Sequence, residues 1–148
     1  MIQEDKEFKI SVVIPTYNRL TYLSRAITSV LKQSYPVYEI IVLDNGSTDQ
    51  TLSFIKKKFT SIKVLVEKKR GVSFARNMGI KNCKHEWIAF LDSDDEWIKD
   101  KIEKQFFLLQ KSNFKYQFIH TNEIWIKNGM LKNQKKKHFK MGGYIFED

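Results

Sequence analysis

Between residues 9 and about 112, apolar runs of strand length alternate with segments whose apolar residues recur at helical spacing. This alternation limits the fold more than any other feature of the chain. Lys9–Ile14 reads as a strand that stops at Pro15. Leu20, Leu23, Ile27, Val30 and Leu31 then mark one face of a helix, with Asn18 as its N-cap and Pro36 closing the region. Tyr38–Leu43 is almost wholly apolar, as a parallel strand covered on both faces should be. A helix over Gln50–Lys58, a strand over Ile62–Val66, a helix from Gly71 to about Asn82, a strand over Trp87–Leu91 and a helix over Lys99–Lys111 continue the order. Repeated strand–helix pairs predict an α/β fold, with right-handed crossovers and a mostly parallel sheet covered by helices on both faces.

Open parallel sheets bind ligands outside the carboxyl ends of their strands. The polar clusters of this chain fall at those ends. Pro15 to Arg19 follows the first strand and Asp44 to Asp49 the second; Glu67 to Gly71 follows the third and Asp92 to Asp95 the fourth. Beyond the alternating region, Tyr116–Lys127 reads as a strand, Asn128-Gly129 as a type I′ turn, and Met130–Lys132 as the returning strand. A lysine-rich loop over Asn133–Lys140 and a break at Gly142-Gly143 complete the chain. With no linker or internal repeat, residues 1–148 read as a single domain.

Composition narrows the class. At 42% hydrophobic residues the chain can bury a core. The 26 Lys and Arg against 17 Asp and Glu give a net charge of +9, which favours an anionic partner without choosing one. The acidic cluster on the ligand-binding rim argues against a uniform basic groove for nucleic acid. A lone cysteine, Cys83, cannot close an internal disulfide. The charged N-terminus lacks a signal-peptide core, and no apolar run approaches the roughly 18 residues of a membrane span. These features predict a soluble, cytoplasmic protein.

Asp92, Asp94 and Asp95 crowd three carboxylates into four positions at the end of an apolar strand. They read either as a solvated turn that caps the next helix or as a site for a hard divalent cation. Mg²⁺ or Mn²⁺ takes one or two protein carboxylates and completes its shell with water and phosphate oxygens. Asp44 can accept hydrogen bonds from a nucleobase or ribose, or cap its own Asn45-Gly46 turn. Arg19, Arg70 and Arg76 surround the same rim, and guanidinium groups suit bidentate phosphate recognition. His85, His120 and His138 show no metal-ligand spacing, and Cys83 has no activating neighbour. The lysine runs Lys56–Lys58 and Lys135–Lys137 read as solvated faces.

Four ordered motifs carry a resemblance. Ser11-Val12-Val13-Ile14-Pro15-Thr16-Tyr17-Asn18-Arg19, Ile41-Val42-Leu43-Asp44-Asn45-Gly46-Ser47-Thr48-Asp49, Gly71-Val72-Ser73-Phe74-Ala75-Arg76-Asn77 and Phe90-Leu91-Asp92-Ser93-Asp94-Asp95 resemble family 2 glycosyltransferases of the GT-A fold. The resemblance implies a Rossmann-like sheet whose donor-binding half spans about residues 9–112, with a C-terminal part that is incomplete. It implies that Pro15, Thr16, Tyr17 and Arg19 line the nucleotide pocket, that Asp44 bonds the base and that Arg76 approaches the diphosphate. Asp92 and Ser93 would face the ribose side. Asp94, the second acid of the Asp-x-Asp motif, would hold Mg²⁺ or Mn²⁺ with Asp92 and Asp95 in support.

The implied activity is transfer of a sugar from a nucleotide-diphosphate donor to a glycan or lipid-linked acceptor, metal-assisted and inverting. Such enzymes place a carboxylate base downstream, often in a Glu-Asp pair before an aromatic-rich helix. Here Glu147-Asp148 follows the Gly142-Gly143 break directly, so base and acceptor half are expected to be missing. The alternative is a non-catalytic nucleotide-sugar-binding chain, or one completed by a partner chain. The remaining lysines suggest peripheral contact with an anionic membrane face. A phosphatase of the haloacid-dehalogenase type would carry its Asp-x-Asp after the first strand, and a receiver domain its acceptor Asp after the third, where Lys68-Lys69-Arg70 stand instead.

Overall fold

The computed structural model describes residues 8–133, 138 and 140. The Lys135–Lys137 run, the Gly142-Gly143 break and the Glu147-Asp148 pair lie outside the described residues. Two units divide the chain, Met1–Leu108 and Leu109–Asp148.

The first unit holds the predicted alternation: β1 (Ile10–Thr16), α1 (Leu20–Leu31), β2 (Glu39–Asp44), α2 (Thr51–Lys58), β3 (Lys63–Val66), α3 (Val72–Asn82) and β4 (Trp87–Phe90), followed by the start of α4 (Lys101–Lys111). The strands form one parallel sheet in the order β3-β2-β1-β4. β1 is therefore central. Its alternate side chains face opposite layers. Val12 and Ile14, with Ile40 and Val42 of β2, pack against Leu23, Ala26, Ile27 and Val30 of α1 and Ile55 of α2. On the other face Val13, Ile41 and Leu43 pack against Ala75 of α3. Burying each such aliphatic side chain contributes about 1.5–3 kcal/mol.

Two sequence expectations change around β1. The strand does not stop at Pro15 but runs through it to Thr16. Thr16 O and Ile10 O accept bonds from the β2 side, whereas Val13 O accepts one from Leu91 N, so odd-numbered residues face β4. β4 ends at Phe90, opposite Val13, so the missing N–H of Pro15 falls beyond the last ladder bond. Asn18 is not the N-cap of α1. Arg19 occupies that position without a side-chain cap bond, while Asn18 takes a left-handed φ of 49° and turns its amide to a neighbouring loop.

Helix α3 approaches the sheet closely at Gly79. A Cβ there would overlap Val13 Cγ1 and lie 3.0 Å from Val13 Cγ2 and 3.3 Å from Leu43 Cδ2. At the amino end of the strands, Glu39 accepts bonds from Ser11 Oγ at 2.7 Å and Lys84 N at 2.9 Å. Burial works to raise the Glu39 pKa, but these bonds and the charges of Lys63 and Lys84 outweigh it, and the carboxyl stays below its ordinary 4.5.

In the second unit β5 (Trp125–Lys127) and β6 (Met130–Lys132) form the expected hairpin. Asn128 and Gly129 both take positive φ, 52° and 74°, as a type I′ turn requires. The expected strand over Tyr116–Lys127 shrinks to its last three residues. Phe118 and Ile119 break the period of two, and the polar run His120–Glu123 leaves no apolar face to bury.

Gly79→Ala should lower unfolding stability by about 1–3 kcal/mol in denaturant titrations, because the added methyl meets a packed core. The stability due to Glu39 is complete above its ordinary 4.5 and is lost as pH falls through its lower folded value. Glu39→Gln should therefore flatten the acid limb of the stability profile and leave its slope near neutrality unchanged.

Candidate functional site

Parallel pairing places the carboxyl ends of β1, β2, β3 and β4 on one rim, and the loops that follow them are tied side chain to backbone. Asn18 joins the first loop to the second. Its Oδ1 accepts from Thr48 N at 2.8 Å and from Asp49 N at 3.4 Å, and its backbone N–H donates to Ser47 Oγ at 2.9 Å. Asn45 joins the second loop to the third. Its amide donates to Glu67 O at 2.9 Å and Lys69 O at 2.8 Å, and its Oδ1 accepts from Gly71 N at 2.7 Å. Gly71 accepts this tether at a φ of 129°, a conformation that a side chain would strain.

Asp44 is fully buried at the end of β2. Its Oδ2 accepts from Gly46 N at 3.2 Å and Ser47 N at 2.9 Å, and Ser47 Oγ donates to Oδ1. The turn-capping alternative is thus the arrangement observed. Asp44 fixes the loop that Asn18 and Asn45 grip from either side.

The fourth loop is tied by charge instead. Asp95 N donates to Asp92 O at 3.0 Å, closing the acidic turn. Arg76, on α3, reaches Asp92 Oδ1 at 2.6 Å, and Arg19 lies 3.9 Å from Asp94 Oδ2. Both acids are half-exposed, and Ser93 between them is buried. Arg70 lies over the exposed Tyr17 ring at 5.5 Å, and Arg19 over Tyr22 at 5.6 Å. The structure therefore brings Thr16, Tyr17, Arg19, Asp44, Arg76, Asp92, Ser93, Asp94 and Asp95 to one rim; Pro15 lies one residue below it, inside β1.

Two polar atoms here have no hydrogen-bond partner among the described residues: Thr16 Oγ1 and Arg76 Nε, both buried. Unsatisfied buried donors are costly, and their retention at a strand-end rim fits groups held for a ligand. No group of three or more His, Cys, Asp or Glu among the described residues could cage a metal by itself. A Mg²⁺ or Mn²⁺ ion that shares one or two carboxylates with a bound diphosphate needs no such cage, so Asp94 and Asp92 suit it.

Sequence reading did not find the loop ties of Asn18 and Asn45; the available signal was an Asn within two residues of a strand end, where side-chain amides compete for backbone partners. The remaining candidates behave structurally. Cys83 Sγ donates to Gly79 O at 3.2 Å, and burial pushes its thiol pKa up, as for an inert cysteine. His85 packs edge-on against Tyr38.

A parallel sheet with a polar strand-end rim, arginines facing an acidic turn, has the form of a nucleotide-diphospho-sugar transferase fold of the GT-A type. The chain belongs to glycosyl transferase family 2, whose sequence profile matches residues 11–146. An uncharacterized glycosyltransferase of Rickettsia conorii is 48% identical over 116 residues, covering 77% of this chain and 19% of the relative. The UDP-Glc:alpha-D-GlcNAc-diphosphoundecaprenol beta-1,3-glucosyltransferase WfgD of Escherichia coli is 37% identical over 125 residues, covering 80% of this chain and 49% of the relative. The S. aureus TarS 1-349 structure in complex with UDP superimposes with a TM-score of 0.65 at 31% identity, over 72% of this chain and 33% of that one. The chain thus spans less than two thirds of the length of each of these relatives. Among the described residues, no helix is long and apolar enough to cross a membrane.

Asn45→Ala removes three loop bonds and should cost about 1–3 kcal/mol of stability. Hydrogen exchange should show the loss of protection at the Gly71 amide, with β1 and β2 amides retained.

Proposed function

We propose that this chain binds a nucleotide-diphosphate sugar across the carboxyl ends of its strands and serves transfer of that sugar to a glycan or lipid-linked acceptor. The observation that carries this reading is the pairing of rim arginines with rim acids: Arg76 with Asp92 and Arg19 with Asp94. Exposed ion pairs are worth only about 0–1 kcal/mol, so a diphosphate can displace them at little cost. Its oxygens take the two guanidinium groups, including the unpartnered Arg76 Nε. The Asp94 carboxylate, with Asp92 and Asp95 in support, would hold Mg²⁺ or Mn²⁺ there. When bound, the cation offsets the charge that develops on the leaving nucleoside diphosphate.

Pro15 and Thr16 at the end of β1 and Tyr17 just beyond it frame the nucleotide, and Thr16 Oγ1, without a partner among the described residues, is the group held to bond it. Asp44 sets the loop that faces the base, and Asp92 and Ser93 lie toward the ribose. The transfer is inverting, and its base comes from outside the described residues. On this reading the chain works in the cytoplasm, with peripheral contact at the inner face of the membrane where a lipid-linked acceptor would lie. A second reading takes the chain as a nucleotide-sugar-binding half completed by a partner chain that supplies the acceptor half.

Calorimetric titrations with UDP, GDP and dTDP, with and without Mn²⁺, test the proposal. Asp94→Ala should abolish the metal-dependent part of nucleotide affinity and leave the melting temperature unchanged, since its carboxylate is half-exposed. Arg76→Ala should weaken nucleotide binding about tenfold or more even without metal, through loss of charge-assisted bonds. Unchanged affinity in both variants removes the proposal. Binding without donor turnover selects the partner-dependent reading.

A further inference from the structure

A groove of about 620 Å³ lies on the outer face of α1, opposite the Leu23, Ala26, Ile27 and Val30 stripe that enters the core. Its cations are Arg25, Lys32, Lys58 and Lys99, and its one acid is Glu96. Glu96 is engaged by Arg25, with Arg25 Nε donating to Oε1 at 2.8 Å. Among the described residues no ion pair involves Lys32, Lys58 or Lys99. The groove therefore keeps an excess of three positive charges.

Hydrogen bonds tie both sides of the groove. On one side Lys58 Nζ donates to Ser24 Oγ at 3.0 Å and lies over the Phe54 and Phe59 rings at 5.4 and 5.3 Å. Ser24 Oγ accepts that bond, which leaves its own proton to donate. On the other side Trp97 N donates to Ser29 Oγ at 3.0 Å, Gln33 Nε2 to Ile98 O at 2.9 Å, and Ser34 N to Lys99 O at 2.9 Å. The backbone that carries Lys99 is thus pinned to α1 and to the residues that follow it. The negative end of the α2 dipole accounts for Lys56, Lys57 and Lys58 alike, yet of the three only Lys58 lines the groove.

We infer that this groove is an anion site for a phosphate-bearing ligand larger than a single phosphate, separate from the strand-end rim. The volume falls in the range of small-molecule pockets, the donors are cations and a hydroxyl, and the half-buried Trp97 offers an apolar wall. One phosphate chemistry fits two sources, a free polyphosphate or the headgroup of an anionic lipid.

The test is a titration of the full chain with pyrophosphate, without metal, followed in ¹H–¹⁵N spectra. Saturable shifts are expected at the Trp97 indole N–H and at the Ser24–Lys32 amides, unchanged in the Arg76→Ala variant, so the outcome does not depend on the rim. Lys32→Gln with Lys58→Gln should weaken these shifts about tenfold or more. Lys56→Gln with Lys57→Gln makes the same change in net charge and should leave them intact. Cosedimentation with vesicles of phosphatidylglycerol in phosphatidylcholine separates the sources. Retention lost in the Lys32/Lys58 variant assigns a lipid headgroup; pyrophosphate saturation without vesicle retention assigns a free phosphate. Shifts that fail to saturate, that fall only at residues 16–19 and 70–76, or that weaken equally in both double variants overturn the inference.

Discussion

Parallel pairing of β1 with both β2 and β4 gathers four strand ends on one rim, and the chemistry of this chain depends on that gathering. β1 can occupy the centre because its side chains serve two layers: Val12 and Ile14 against α1, Val13 against α3. Pro15 is tolerated there because β4 stops two residues short of it. Gly79 lets α3 lie close enough to the sheet for Arg76, three residues nearer the helix start, to reach the acidic turn.

The rim is held by two kinds of tie with different consequences. Asn18 and Asn45 use neutral amides and several bonds each, and fix the first three loops to one another. Arg19 and Arg76 use single, half-exposed ion pairs. A polyanionic ligand leaves the amide ties alone and competes directly for the ionic ones. On the proposed reading, such a rim is rigid where a nucleotide would be framed and exchangeable where its phosphates would arrive.

Much of this was legible in the sequence. Alternation of periods gave every element of the first unit, with ends displaced by one or two residues, because apolar packing sets both the pattern and the fold. The polar clusters marked the rim, since strand ends are where burial stops. What escaped was side-chain bonding between loops distant in sequence: Asn18 reads locally as a helix cap and is in fact bonded to Thr48. Asp44 was readable as a base ligand or a turn cap, and only geometry showed both oxygens engaged in its own turn. Tyr116–Ile124 failed as a strand because β propensity without a partner or an apolar face does not specify one. Nor did the lysine count reveal that Lys58 is anchored while Lys56 and Lys57 are not singled out.

The central claim is that metal and diphosphate meet at the acidic turn after β4. Paramagnetic broadening by Mn²⁺ in the presence of UDP tests it most directly. Amides of Asp92–Asp95, with those of Tyr17, Arg19 and Arg76, should broaden first, while Ser11 and Lys84 at the opposite end of the strands stay sharp. Broadening that centres elsewhere, or that is the same with and without UDP, would contradict the account.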